Sequence, residues 1–334
     1  PATAAAMPKV RYFDAQDNEL SDPDGAVYSS YSIDIKPSTY YQPHPALAKD
    51  SSGRFYYHDL NADKLADIHT LEDFQHVGSR ELQAQDYVLQ IKRLADPALH
   101  SPVAGIFSNY IEGFSEYAHQ LKTLRKAGES VDLAQLPMAG LSVEGDYRYS
   151  IRIRGVYPQF IYWMSMPFFA PMPWEALAFY EQEGMDDRNI NLDWYPIGTG
   201  PFMLSENNPI LRMVLERNPN FRDEYYPEQG MPEDESTGLL ADAGKKLPFL
   251  DRAVYSLEKE TIPYWNKFLQ GYYDNSGVSS DSFDQAVQMS AGELNLTPQM
   301  QEQGIQLSTA VQSSLFYMGF NMRDPVLGGL SAKA

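Results

Sequence analysis

A catalyst needs a nucleophile with its base, a phosphate cradle or a metal cage, and the 334 residues show none of these in a recognisable spacing. The hydrolase elbow G-x-S-x-G and the phosphate loop G-x-x-x-x-G-K-[ST] are both absent. Gly198-Thr199-Gly200 starts like a dinucleotide fingerprint, but Pro201-Phe202-Met203 follows. Proline has no N–H to offer a phosphate, and no third glycine appears. Without cysteine there is no disulfide, no thiolate ligand and no thiol nucleophile. None of the six histidines (His44, His58, His69, His76, His100, His119) is paired as H-x-H or H-x-x-x-H. Asp67, His69, Asp73 and His76 come nearest to an oxygen and nitrogen metal set. Their loose spacing suits a polar surface segment better. With 45 Asp and Glu, carboxylate pairs are unavoidable, and nothing selects one as a hydrolase pair. The chain reads as a non-enzyme, with no catalytic residue, metal or cofactor assigned.

Aromatic side chains are the stronger signal: 23 Tyr, 16 Phe and 4 Trp. Such residues combine a large apolar area with, in Tyr and Trp, a polar handle, and they line most ligand pockets. The run Tyr157–Phe169 (YPQFIYWMSMPFF) is the densest. Within it Ile161 and Met164 are expected in the core. Tyr162, Trp163, Phe168 and Phe169 are candidates for a ligand wall, with ordinary core packing as the other reading.

The elements that would hold these residues are a mixture of strands and helices. Tyr31, Ile33 and Ile35 alternate with Ser32 and Asp34; Tyr147, Tyr149, Ile151 and Ile153 alternate with four Arg or Ser residues. Both patterns predict strands, the second with one buried and one cationic face. Leu82, Val88, Ile91 and Ala95 share a helical face that Asp96-Pro97 ends. Tyr110–Ala127 reads as a second helix. Ser282 and Gln285 form a capping-box pattern, and Thr297-Pro298 an N-cap followed by proline. Arg222–Lys246, with its Glu233-Asp234-Glu235 run, reads as a long surface excursion. Pro167–Pro173 is proline-rich yet apolar, so it should pack or line a cleft.

Composition bounds the rest. The length suggests about two domains, and 43% hydrophobic residues are enough for a core. A balance of 26 Lys and Arg against 45 acids gives −19, which excludes a nucleic-acid partner that would need basic clusters. No apolar run is long enough for a membrane helix. Pro1–Ala6 lacks the cationic and apolar regions of a signal peptide, so a mature or cut start is expected.

Four stretches together resemble one family. Arg80–Pro97 (RELQAQDYVLQIKRLADP) is similar to its A-x-D helix, through Ala84, Asp86, Tyr87, Arg93, Asp96 and Pro97. Pro196–Leu204 (PIGTGPFML) with Leu215–Phe221 (LERNPNF) resembles its most specific signature. Leu247–Asp274 resembles a P-y-l-D … G-e-i-D pair, in which Gly271 and Asp274 match and Tyr272 replaces the usual acid. Phe316–Asp324 (FYMGFNMRD) resembles the strand that opens a third lobe. On these motifs the chain is similar to the family 5 extracellular solute-binding proteins, receptors of ABC importers for peptides and related solutes.

The resemblance implies a periplasmic-binding-protein-like α/β fold (mixed α+β), two lobes with mixed sheets and a truncated third. The expected spans are 7–165 for the second, smaller lobe, 166–316 for the middle of the first, and 317–334 for the start of the third. Family members are longer, so the resemblance also implies a fragment. It implies a periplasmic or lipid-anchored receptor, monomeric in full length, that captures a peptide-like small solute between lobes and delivers it to the transmembrane permease subunits. An oligosaccharide on the same scaffold is the alternative, and a carboxylate hydrolase a more distant one. Ser101–Tyr110 is expected to face the cleft, giving Ser101, Pro102, Val103 and Phe107 as ligand contacts beside Tyr162, Trp163, Phe168 and Phe169. Gly198, Thr199 and Gly200 are expected to set the backbone shape near the lobe crossing rather than to touch ligand, since glycine permits tight, unusual dihedrals.

Overall fold

In a computed structural model, residues 3–129, 131–290, 292–311, 313–324 and 326 are described. They form two compact units, Pro1–Leu257 and Glu258–Ala334, with mixed α and β structure in each.

The first unit is built on an antiparallel sheet of order β2-β1-β3-β5-β4. Its strands are β1 Lys9–Phe13, β2 Glu19–Leu20, β3 Tyr28–Asp34, β4 Leu141–Val143 and β5 Arg148–Arg154. The two alternating segments pair directly, Tyr31 opposite Ile151 and Ile33 opposite Tyr149. All four are at most 2% exposed, and each such burial contributes about 1.5–3 kcal/mol. The outer face is cationic but neutralised. Arg148 pairs with Asp34, and Arg152 with Asp17 and Glu112. The Arg152 guanidinium also lies 4.2 Å from the Tyr28 ring centre.

Helix α1 (Ala84–Leu94) is buried on nearly every side, Gln90 and Lys92 included, rather than on the single predicted stripe. The predicted helix over Tyr110–Ala127 is two helices, α2 (Ala104–Tyr110) and α3 (Phe114–Lys126). The break is tertiary in origin. Ile111 bridges to Ile153, and the Glu112 N–H donates to the Arg152 carbonyl. Gly113 then turns the chain at φ 76°, where a Cβ would lie 2.8 Å from the Ala139 nitrogen.

Two short helices follow, α4 (Phe160–Trp163) and α5 (Trp174–Tyr180). One hydrophobic cluster runs through this unit from Tyr31 to Ile197. A second antiparallel sheet, order β6-β7-β8, comprises β6 Phe202–Asn208, β7 Arg212–Arg217 and β8 Arg252–Ser256. Between β7 and β8 the predicted excursion stands out, its one helix being α6 (Pro232–Ser236). Its feet are tied: Leu247 N–H donates to Glu224 O at 2.8 Å and Tyr226 N–H to Lys245 O at 2.9 Å.

The second unit has α7 (Thr261–Leu269), α8 (Phe283–Ala286), the hairpin β9 (Val287–Ser290) and β10 (Glu293–Leu296), and α9 (Pro298–Glu302). Pro298 opens α9 as predicted. The capping box does not form. Ser282 Oγ bonds Ser279, and Gln285 Oε1 accepts from Trp265 Nε1 at 3.0 Å. The helix lasts one turn, and Val287 enters a strand instead. Residues 313–321, apart from the undescribed 312 beside them, carry no strand or helix, against the strand expected over Phe316–Asp324. Phe316 and Tyr317 are 93% and 84% exposed there.

Candidate functional site

The two halves of the PIGTGP…RNPNF signature meet in space. Asn218, 2% exposed, donates from Nδ2 to the Gly200 carbonyl at 2.9 Å and from its backbone N–H to Pro201 O at 2.9 Å. Its Oδ1 accepts from Asn220 N–H at 3.0 Å, and Asn220 Nδ2 donates to Tyr41 O at 2.9 Å. Gln42 closes the set, giving its backbone N–H to Gly198 O and accepting the Gly198 N–H on Oε1. The glycines themselves are unremarkable. Neither has positive φ, and a Cβ on Gly198 or Gly200 would meet nothing closer than 4.0 or 3.9 Å. The expected special dihedrals are not there; the signature is a side-chain and carbonyl network that fixes a chain crossing.

Beside it lies a buried charge cluster. Arg80 donates to Asp86 at 2.7 and 2.8 Å and to Glu175 at 2.7 Å through two nitrogens. Tyr41 Oη adds a hydrogen bond to Asp86 at 3.1 Å. Burial pushes the Asp86 carboxyl above its usual range, while the Arg80 hydrogen bonds pull it down. His44 is fully buried. Its Nδ1 accepts from Ala46 N–H, so the ring proton sits on Nε2 and points to Tyr180 Oη at 2.8 Å, which in turn donates to Tyr195 O. Burial holds the His44 pKa down to about 3. Both clusters are structural: they tie α1, α5 and the Tyr41–Ala46 segment together.

The predicted contact residues fall on and around α2 and α4. Phe107 is the hub, with its ring 6.2 Å from Trp163, 5.5 Å from Phe168 and 5.2 Å from Phe169. Phe107 and Phe169 are sealed in the core at 0% and 3% exposure. Trp163, Phe168 and Val103 are half-buried, Pro102 is exposed, and Tyr162 stands free at 65%. Tyr110 and Tyr157 complete an aromatic trio with Trp163, at 4.8 to 5.2 Å. Ser101 lines a separate hollow on the other side of α2.

A cavity of about 800 Å³ lies wholly within the second unit. Trp265, Phe268, Leu296 and Met300 give it an apolar floor, and the chain from Gly304 to Thr309 lines it. Phe283, 42% exposed, and Asp274, Asn275 and Ser276 are part of the lining. The Asp274 carboxylate has no hydrogen-bond or ion-pair partner among the described residues. Volume and lining both fall in the range of small-molecule sites. Sequence reasoning had matched Gly271 and Asp274 to a motif without giving them a role. The signal was the i, i+3, i+4 spacing of Trp265, Phe268 and Leu269 just before them.

Among the described residues no cluster of three or more His, Asp or Glu could hold a metal ion, and Asp73 caps its own turn from His69 and Thr70. No described helix is long and apolar enough to cross a membrane.

The family model of bacterial extracellular solute-binding proteins, family 5 middle, matches residues 43–330. Among solved structures, the chain is similar to Listeria monocytogenes OppA bound to peptide, at 14% identity and TM-score 0.48, covering 85% of this chain and 38% of that one. It is also similar to Helicobacter pylori DppA in complex with peptide STSA, at 13% identity and TM-score 0.44, covering 81% and 40%. Burkholderia pseudomallei OppA gives 13% identity and TM-score 0.44, covering 80% and 39%. The chain thus spans about two fifths of the length of these proteins. No curated protein sequence matches it.

Proposed function

Because the chain belongs to the bacterial extracellular solute-binding proteins of family 5, we propose that it serves as the substrate-binding receptor of an ABC importer, capturing a peptide-like solute and handing it to the permease. It acts outside the cytoplasmic membrane, and a lipid anchor on the whole protein belongs to the same reading. The supporting observation is the second-unit cavity. Its aromatic and aliphatic floor suits an apolar side chain, while Asp274, Asn275 and Ser276 offer partners for peptide N–H and ammonium groups. The exposed Tyr162 and the half-buried Trp163, Val103 and Phe168 offer further apolar contact area in the first unit.

Calorimetric titration with di- to pentapeptides tests this. Saturable binding that weakens about ten-fold in Phe283→Ala and in Asp274→Asn is expected, since each removes one contact of about 1–2 kcal/mol. The absence of heat and of any thermal shift across the peptide set would sink the proposal. So would binding indifferent to both substitutions.

A further inference from the structure

A hollow of about 450 Å³ lies between the end of α1 and helices α2 and α3, in the first unit. Its polar lining is Ser101, Ser108, Ser115 and His100 over a floor that includes Ala104 and Phe114. Ser101 Oγ is shut off from solvent and has no hydrogen-bond partner. A buried hydroxyl in that state is uncommon, because the water it gave up has not been replaced. Ser101 is a lining residue, so a side-chain rotation bringing Oγ to face the hollow would sacrifice no hydrogen bond. Ser115 Oγ and the His100 ring are likewise uncommitted among the described residues, and Ser108 Oγ spends only its proton, on Gly105 O at 2.8 Å. His100 holds a left-handed backbone, φ 52°, a strained conformation for a residue with a Cβ.

Charge then narrows the ligand. The only carboxylate in the lining, Asp96, is already engaged by Arg125 on one oxygen and by Ala98 N–H at 3.0 Å on the other. No lysine or arginine lines the hollow. A cation would find no free carboxylate, and an anion no lysine or arginine. The serine hydroxyls both give and accept hydrogen bonds, so their matching partner also does both. We infer that this hollow is a binding site for a neutral, hydroxyl-rich solute of sugar or polyol type, with Ser101 Oγ as its buried contact. The site lies in a different unit from the cavity assigned to the peptide-like solute and stands independently of that assignment.

The test is calorimetric titration of the full chain with glucose, maltose, myo-inositol and glycerol, repeated on Ser101→Ala, Ser115→Ala and Phe283→Ala. Saturable binding of at least one of these probes is expected, weakened about ten-fold in Ser101→Ala and unchanged in Phe283→Ala. Thermal stability separates this from a structural role. Ser101→Ala deletes an unsatisfied hydroxyl, so its melting temperature should hold or rise while affinity falls. Should Ser101→Ala fail to fold, the exposed Ser115→Ala reports the same loss. Saturation by none of the four probes overturns the inference. Affinity that survives both serine substitutions, or that disappears in Phe283→Ala, overturns it equally.

Discussion

Arg80 and Asp86 face each other in two parallel hydrogen bonds, 2.7 and 2.8 Å long, with the carboxylate 2% exposed. Glu175 takes the remaining edge of the same guanidinium. A lysine has a single ammonium and cannot reproduce this fork. Arg80→Lys and Asp86→Asn should each cost about 3–5 kcal/mol, the usual penalty for leaving a buried charge without its partner. Urea unfolding would register this as a lower midpoint at unchanged slope; a loss under 1 kcal/mol in both variants would mean the cluster is solvated.

His44 sets a pH dependence. In the unfolded chain it takes up a proton near the ordinary histidine value of 6.5, and in the folded chain, where burial disfavours the charged ring, only near 3. The stability it lends is therefore complete above pH 6.5 and is lost as pH falls toward 3, by about 1.4 kcal/mol per unit and about 5 kcal/mol in all. Denaturant melts at pH 7, 6 and 5 on the wild type and on His44→Gln isolate the effect from the carboxylates. The variant should show the shallower fall, and equal slopes would contradict a buried neutral imidazole.

Glycines in this chain should divide sharply. Gly198→Ala and Gly200→Ala have room and ordinary φ, so melting temperatures should stay level or rise slightly. Gly113→Ala combines positive φ with a Cβ only 2.8 Å from the Ala139 nitrogen, and a loss of more than about 1 kcal/mol is expected. A tolerant Gly113 would show that the turn between α2 and α3 can be made another way.

The exposed run near the C-terminal end carries a solubility prediction. Leu315, Phe316, Tyr317 and Met318 are each more than 80% exposed, and contiguous apolar surface of this kind drives self-association. Phe316→Ser with Tyr317→Ser should shift light-scattering profiles toward monomer, with the fold of the first unit intact by circular dichroism. Identical association in wild type and variant would place the sticky surface elsewhere.

What the sequence disclosed depended on how local the cause was. The strands around Tyr31 and Ile151 were legible because their period-two alternation is enforced by a single buried face. Helix α1 was legible in extent but not in burial, since neighbours remote in sequence cover its polar residues. The split between α2 and α3 was hidden because it comes from Ile111 bridging to Ile153, 42 residues away. The Asn218 and Gly200 contact lies across a motif whose halves were noticed, yet the glycines drew the attention that belonged to the asparagine. Of the candidate contacts, Phe107, Trp163, Phe168 and Phe169 pack into one aromatic cluster. Type alone could not tell which rings the core would enclose. The second-unit cavity escaped notice because its walls come from five separate short elements.

The excursion between β7 and β8 begins and ends at almost the same point, because Glu224 and Leu247 share a hydrogen bond at its base. Whatever occupies the 22 positions between them is held by two adjacent anchors rather than by the body of the unit. A guest domain whose own termini lie close together could be grafted at Gly238, an open turn with nothing within 4 Å of a Cβ. Such a graft would give a reporter fusion that leaves both sheets as they are.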